Sequence, residues 1–481
     1  MASYTSRQTK HRHPHLGRGV NNHHYRCGTK SQVRHSDEKH GLFSHQLNEE
    51  SNENNVFCTN SAEAGLSTRH NTTLSWGRIK TELHSHPTNK NVPPGNKIET
   101  AQPFRIPAFV GIGVTSILST PYLQSEDDNC ITTFVGTKRG KLMQVTFDPS
   151  DLNETAVIHI DDANGKALKP YPIFSMMGLP TPSNSNTNDN YYLFAGGGDR
   201  FMTVWETRND KIWYVKTQLG PHTGWVKDMA TINYDSTREP TIFSIGCNCI
   251  EVWKTTDKGD YQHFQKLQIE SSVEMGCTLS SDLLCLSTYS SNIMRSNEDT
   301  TNSTYLMAGG VDGRIHCWEF QGETIADSVV VSAHNDRVND IIICRNLNVL
   351  VSVGNDGFVH CREINEDSFE SWATTSLCIN DELKASDEKS ELSLFKITSS
   401  CIVEDDSRRA IVAIGTACGK VLLVEITRSD GSDLVVSLIK DKIIDFESSC
   451  VIHALKCFRK GGRFCIMIGS DGLSICDVAL P

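Results

Sequence analysis

Several short clusters of the chain contain side chains that often carry out chemistry. Cys247 and Cys249 are two thiols in one short segment, and Asp161 and Asp162 are paired acids in a polar stretch. Two thiolates supply only half of a zinc site, and no His/Cys pair stands close by in the sequence. The run Gly196–Gly198 lies between apolar strands, so it lacks the helix dipole that would hold a phosphate. None of these clusters predicts a catalytic or metal site.

Known catalytic motifs are absent from the sequence. It contains no G-x-S-x-G, no H-E-x-x-H, no P-loop and no G-x-G-x-x-G after a strand. These motifs place a nucleophile, a zinc ion or a phosphate, so their absence argues against the enzyme classes that use them. We therefore predict that the protein is not an enzyme and uses no cofactor and no metal ion.

The composition excludes wholesale disorder and a membrane-spanning helix. Hydrophobic residues make up 38% of the 481 residues, and no run of about 18 apolar residues occurs. The first 30 residues contain no apolar run of the kind a secretory signal needs. The 17 cysteines are odd in number and none falls in a C-x-x-C pair, which favours free thiols in a reducing compartment. We expect a cytoplasmic or nuclear protein, with organelle targeting left open.

The charge is divided unevenly between two regions. Residues 1–100 hold 13 Lys and Arg against 8 Asp and Glu, whereas residues 101–481 hold 33 against 50. The first region is also rich in His, Asn and Ser and poor in aliphatic residues, so we predict a disordered basic arm over residues 1–100. The arm is a solvated linker, a targeting peptide or a contact segment for an acidic partner. Its scattered basic residues and few aromatics do not favour nucleic-acid binding.

A repeated pattern fills residues 101–481. An apolar strand is followed by a Gly/Asp turn and by an alternating strand that ends in an acid, three times almost unchanged. The three clearest copies read LFAGGGDRFMTVWE from Leu193, LMAGGVDGRIHCWE from Leu306 and LVSVGNDGFVHCRE from Leu350. Weaker copies begin at Phe134, Phe243, Val412 and Ile466. Seven copies of alternating strands with tight turns, and no crossover helices, predict an all-β fold of seven four-stranded antiparallel blades, a β-propeller.

The copies resemble the repeats of the WD40 family. The family's turn Asp and strand-end Trp correspond to Asp199 and Trp205 in one copy and to Asp312 and Trp318 in another. The resemblance implies a buried network in which a His, a Ser or Thr, the turn Asp and the Trp are hydrogen-bonded. The implied network residues in the other copies are His222, Trp253, His334, Ser352 and Asp356. Arg362 replaces the Trp in the copy that contains Ser352, so that network is incomplete.

A propeller has to join its last blade to its first. The last copy supplies only three strands, so we predict that the apolar segment 104–110, FRIPAFV, completes the seventh blade as an outer strand, where its proline is tolerated. The longest polar insertions are Gln124–Cys130, Thr181–Asn190, Asn233–Pro240 and Ser287–Thr304. Each is predicted between the first and second strands of its blade, and these insertions are binding loops or tolerated surface variation.

The resemblance implies a noncatalytic scaffold that binds proteins or peptides as a monomeric propeller within a larger complex. The candidate contact residues are Trp225, Arg337 and Arg362, because Trp and Arg are enriched in binding hot spots. A second hypothesis is a substrate receptor of a cullin-RING ubiquitin ligase. Asp199, Trp205, Glu206 and Arg208 are similar to the box with which such receptors hold their adaptor. The third is an enzyme with a site in the central channel.

Overall fold

The computed structural model describes most of the region from residue 103 onward. The described residues are 103–119, 130–149, 151–160, 170–180, 191–207, 212–232, 240–256, 259–269, 273–274, 277–278, 282–290, 304–321, 324–325, 328–364, 369, 372–384, 395–429, 433–445, 450–460 and 463–480. The arm predicted over residues 1–100 lies outside them, so its three interpretations stay predictions.

The described strands form seven antiparallel blades, as the repeat predicts. Blade 1 comprises Val114–Ser119, Ile131–Thr137, Leu142–Asp148 and Asp151–His159; blade 2 comprises Ile173–Pro180, Tyr191–Gly197, Met202–Thr207 and Trp213–Leu219. Blade 3 comprises Val226–Ile232, Thr241–Gly246, Cys249–Thr255 and Tyr261–Gln268; blade 5 comprises Val338–Cys344, Val349–Gly354, Phe358–Glu363 and Thr374–Cys378. The chain is therefore an all-β propeller whose arrangement is consistent with a WD40-like fold.

The other three blades have outer strands that are interrupted or taken from elsewhere. Blade 4 comprises Leu283–Ser290, Thr304–Gly310, Arg314–Gln321 and an outer strand in two pieces, Thr324–Ile325 and Val329–Ser332. Blade 6 comprises Ile397–Asp405, Arg409–Thr416, Lys420–Arg428, Leu434–Leu438 and Ile444–Asp445. Blade 7 comprises Ala454–Lys460, Arg463–Gly469, Leu473–Val478 and Phe104–Arg105. Outside the blades are the helix Ile379–Lys384, the 3-10 turns Pro107–Phe109 and Lys440–Lys442, and a hairpin of Val273–Glu274 and Cys277–Thr278.

The core lies between blades rather than at the centre of one. First strands of consecutive blades pack against each other around the ring, and the first strand of blade 7 packs on that of blade 1. Among the described residues, seven clusters of buried apolar side chains fill the seven seams between neighbouring blades. Each second strand is covered on both faces, which is why runs such as Val349–Gly354 are apolar or small and completely buried.

The segment predicted to complete blade 7 does so. Phe104 pairs with Ile475 and Arg105 with Ser474, and Ile106 N–H donates to the Leu473 carbonyl at 2.9 Å. Pairing ends there because Pro107 has no N–H to donate and begins a 3-10 turn. The rest of the segment turns into the seam between blades 7 and 1, where Phe109 is completely buried.

The ends of the strands define two faces of the ring. In an antiparallel blade, the start of the first strand lies beside the turn between the second and third strands, as the pair Val226 and Gly246 shows in blade 3. We call this side the turn face and the opposite side the loop face. The four predicted insertions lie almost entirely outside the described residues, so their role stays a prediction, but Ser287–Ser290 is part of the first strand of blade 4.

We predict that closure depends on buried Phe109. Phe109→Ala removes an aromatic ring from the seam and should lower the free energy of unfolding by about 3–5 kcal/mol. The neighbouring Val110 is 61% exposed, so Val110→Ala should change it by less than about 0.5 kcal/mol. Urea unfolding of both variants measures the difference, and equal effects would show that the seam packing of this segment does not close the ring.

Candidate functional site

At the turn face, the first strand of each of blades 1 to 6 begins with a buried aliphatic residue, and in blade 7 a buried Ile lies two residues before the first strand. These residues are Val114, Ile173, Val226, Leu283, Val338, Ile397 and Ile452. In blades 1 to 6 the strand register shifts immediately after this residue, which is the sign of a β-bulge. A bulge re-aims the side chain that follows, and it is found often beside functional sites. The residue after the aliphatic one, which we call the bulge position, therefore differs in its contacts from blade to blade.

In three blades the side chain at this position donates a hydrogen bond to the next blade. Thr115 Oγ1 donates to the Ile173 carbonyl, Asn339 Nδ2 donates to the Ile397 carbonyl and Thr398 Oγ1 donates to the Ile452 carbonyl, each at 2.5 Å. Each bond joins the side chain of one blade to the buried aliphatic residue of the next. In these three blades the position therefore has a structural role.

Blades 2 and 3 use the same position differently, since they carry Phe174 and Lys227 there. The Phe174 ring stacks on Trp225, with 5.5 Å between centroids and 25° between planes. Lys227 Nζ lies 4.0 Å from the Phe174 centroid and 4.7 Å from that of Trp225, within the range of cation–π attraction. Tyr171 lies close by, because Gly198 has both Tyr171 and Phe174 side-chain atoms within 4 Å of where its Cβ would be.

We call Tyr171, Phe174, Trp225 and Lys227 the aromatic–lysine cluster. Trp225 is 54% exposed and Tyr171 is 48% exposed, so two large rings face water on the turn face. Tyr171 and Trp225 come just before strands whose first residues, Ile173 and Val226, are buried, so the blades anchor the backbone next to both rings. Exposed aromatic residues on a rigid surface have the properties of a protein-binding hot spot: large contact area and little ordering entropy to lose.

The Lys227 ammonium has unusual surroundings. Burial lowers its pKa, while Asp282 acts in the opposite direction and Arg337 in the same direction. Among the described residues, no carboxylate oxygen lies within 4.0 Å of Lys227 Nζ and no acceptor is hydrogen-bonded to it. The ammonium thus rests on two ring faces with its three N–H donors available.

The network residues of blade 3 lie together behind this cluster. His222 Nδ1 donates to the Arg200 carbonyl at 3.1 Å, which leaves Nε2 to accept from Ser244 Oγ at 2.7 Å. Trp253 Nε1 donates to the same Ser244 Oγ at 2.8 Å. Burial lowers the His222 pKa, which fits the neutral ring that this pattern requires. The network ties the segment before Trp225 to the second and third strands of blade 3.

Blade 5 has a related network without the tryptophan. His334 Nδ1 donates to Asp356 Oδ1 at 3.0 Å, and its Nε2 lies 3.0 Å from Ser352 Oγ. Arg362, in the Trp position, is buried rather than solvated, and its guanidinium lies over the Phe369 ring at 6.0 Å. Arg362 therefore does not present itself to a partner, whereas Arg337 is exposed on the turn face.

Blades 2 and 4 contain the Trp without this network. Trp205 is completely buried, and its Nε1 has no hydrogen-bond partner in the described part of the chain, since Ala195 stands where blade 3 has Ser244. Ala308 stands there in the blade of Trp318. Asp199 and Asp312 cap their own turns, accepting from the N–H of Phe201 and of Arg314 at 3.1 Å.

Three of the four residues that resemble the adaptor-binding box of ligase receptors lie among the described residues of blade 2. Asp199 and Glu206 are partly buried and Trp205 lies inside the blade, so the structure gives these three residues blade contacts. Arg208 lies outside the described residues, and the ligase interpretation therefore stays a hypothesis that depends on it.

One group of potential metal ligands occurs within the described residues. His334, Asp356 and His360 have ligand atoms within 4.8 Å of one another. Both ring nitrogens of His334 are already engaged, and Asp356 also accepts from the N–H groups of Asn335 and Phe358. A metal ion would have to break these bonds, so the group is better interpreted as a hydrogen-bonded network than as a metal site.

Sequence reasoning missed two buried carboxylates that join blades. Asp228 accepts from the Leu286 N–H of blade 4 at 2.7 Å, and Asp340 accepts from the Ser400 N–H and Oγ of blade 6 at 2.8 Å. Burial raises the pKa of Asp228 to about 7 and also raises that of Asp340. The repeated V-K-D and V-N-D sequences at the blade starts were the available signal.

Comparison with models of known protein families gives no match, and comparison with curated proteins finds no similar sequence. No helix in the described part of the chain is long and apolar enough to cross a membrane. The architecture and the geometry of the turn face therefore carry the functional argument.

We predict that Ser244 contributes more to the free energy of unfolding than Ser352 does. Ser244→Ala leaves His222 Nε2 and Trp253 Nε1 without their shared partner and should lower the free energy of unfolding by about 2–4 kcal/mol. Ser352→Ala leaves only His334 Nε2 without a partner and should lower the free energy of unfolding by about 1–3 kcal/mol. Denaturant titrations of the two variants provide the comparison; a larger loss for Ser352→Ala would contradict this account of the networks.

Stability should fall on acidification partly because of His360. Burial, with His334 and Arg362 nearby, lowers the His360 pKa from 6.5 to about 4. A histidine with a lowered pKa stabilises the fold above its unfolded value of about 6.5, and this contribution is lost as the pH falls towards 4. His360→Gln should therefore flatten the decline in melting temperature between about pH 7 and pH 5. His159→Gln, at an exposed histidine, should leave the decline unchanged; identical profiles for all three proteins would exclude the effect.

Proposed function

We propose that this protein is a noncatalytic propeller that binds another protein or peptide at the aromatic–lysine cluster. The observation that carries the proposal is Trp225, which is 54% exposed and stacked on Phe174 across two blades. A hydrophobic ring of this size in water costs free energy that a partner recovers by covering it. Propellers are rigid scaffolds, and their specificity comes from residues placed on a rim.

The contrast around the ring supports this location. The bulge position donates an inter-blade hydrogen bond in blades 1, 5 and 6, but not in the two blades that form the cluster. Blades 2 and 3 lack the bond that blades 1, 5 and 6 make, as does blade 4 with Leu284, but only blades 2 and 3 present rings and a cation at the surface instead. Binding is a reason to keep such a departure from the structural pattern.

The absence of catalysis remains part of the proposal. An active site in the central channel would use acidic residues of the first strands. Asp228 and Asp340 are buried acids of first strands, but each has an oxygen that accepts from an N–H group of the next blade. This role in joining blades supports a scaffold over an enzyme. We also propose a reducing compartment, the cytoplasm or the nucleus, where the 14 cysteines with described side chains would stay free thiols.

The test compares two exposed aromatic residues of blade 3. Trp225→Ala should abolish or weaken partner recovery about 30-fold, as loss of a hot-spot tryptophan does. Phe264→Ala removes a ring that is 46% exposed on the outer strand and should leave recovery intact. The measurement is quantitative mass spectrometry of proteins captured by the full chain, with melting curves to show that both variants fold.

Three results would be informative. Equal recovery by Trp225→Ala and by the unaltered chain would exclude the cluster as the binding site. Recovery of a cullin and its adaptor, lost on Arg208→Ala and retained on Trp225→Ala, would favour the ligase receptor. Recovery that depends on Trp225 and contains no ligase component would exclude the receptor hypothesis.

A further inference from the structure

The turn face differs in charge from the ring as a whole. Residues 101–481 hold 33 Lys and Arg against 50 Asp and Glu. Four exposed basic residues of the turn face nevertheless have no carboxylate within 4.0 Å among the described residues: Arg139, Arg200, Arg337 and Lys396. The exposed acids at the corresponding positions are Asp336 and Asp471, and Asp471 already pairs with Lys138 at 3.1 Å. The exposed and unpaired charges at these turns and blade starts are therefore mostly basic, whereas Asp199, Asp282, Asp312 and Asp356 are only partly exposed there.

The cluster contains the cation best prepared to receive an anion. Lys227 Nζ is held by two rings, so its position is fixed before any ligand arrives, and its N–H donors have no acceptor in the described part of the chain. Arg337, at the start of blade 5, is exposed on the same face and carries a further positive charge. Asp282 acts on the pKa of Lys227 more strongly than Arg337 does and in the opposite direction, but it forms no ion pair with Lys227.

We propose that the partner is an acidic protein segment with an apolar anchor, whose carboxylate pairs with Lys227 while the anchor covers Trp225. This inference deepens the proposed function and rests on it. A carboxylate at Lys227 supplies the acceptor that the ammonium lacks, and partial burial strengthens the pair because water screens it less. The anchor removes exposed ring surface at Trp225 and Tyr171 from water.

Two other ligand classes fit the charges less well. A cationic peptide would have to displace Lys227 from the ring faces and would meet Arg337 and Arg200. A nucleic acid carries a long run of phosphates, and a ring with 17 more acids than bases repels it beyond the few basic residues of this face. A short acidic segment matches both the size of the basic area and its apolar centre.

The experiment selects peptides from a randomised display library on the immobilised full-length protein. We expect enrichment of sequences that combine several Asp or Glu with an aromatic or aliphatic residue. Lys227→Met should weaken the binding of the enriched peptides about tenfold or more. The matched control is Lys254→Met, because Lys254 Nζ lies 3.7 Å from the Phe264 centroid and forms a cation–π pair on the outer strand of the same blade. Affinity should also fall between about 50 mM and 500 mM salt.

The outcomes separate this inference from the proposed function. Enriched peptides that are neutral or basic, or that bind Lys227→Met as well as they bind the unaltered chain, would overturn the acidic segment and leave docking at Trp225 intact. Binding of a single-stranded RNA oligonucleotide, lost on Lys227→Met and tighter than that of the acidic peptides, would overturn it in favour of nucleic acid. Failure of Trp225→Ala to reduce binding of the enriched peptides would overturn the docking site itself.

Discussion

The ring depends on burial between blades, because each blade is a thin sheet with two apolar faces and no core of its own. Seven clusters of buried side chains fill the seams, and each contains residues from two neighbouring blades. Hydrogen bonds from Thr115, Asn339 and Thr398, and the buried carboxylates of Asp228 and Asp340, add direction to this packing. A blade therefore has stable packing only inside a closed ring.

The proposed binding surface is a local exception to that constraint. The position that joins blades 1, 5 and 6 to their neighbours carries a ring in blade 2 and an ammonium in blade 3, and Trp225 contacts both at the seam. The ammonium lies against the two rings but has no hydrogen-bond acceptor in the described part of the chain. An incomplete interaction on a rigid scaffold is well suited to be completed by a ligand.

Sequence patterns predicted the architecture better than the site. Alternation and Gly/Asp turns repeat in every blade because the same burial problem repeats, so the copies, the seven blades and the closing segment 104–110 were all accessible. The contact residues depend on where a side chain lies relative to its neighbours. Trp225 and Arg362 look equally suitable in the sequence, yet the first is exposed and the second is buried. Phe174 and Lys227 carry no signal until the bulge of each blade is aligned.

The closing strand has a consequence for how the ring is made. Phe104 pairs with Ile475, so the first strand of the ring to be synthesised stays unpaired until the strand that contains Ile475 has been made. Pairing across so long a stretch of chain is slow, and apolar segments that wait for partners are prone to aggregate. Ile106 and Phe109, which are buried in the finished ring, are the side chains in this position. The seam between blades 7 and 1 is thus the place where a chaperone would be needed longest during synthesis.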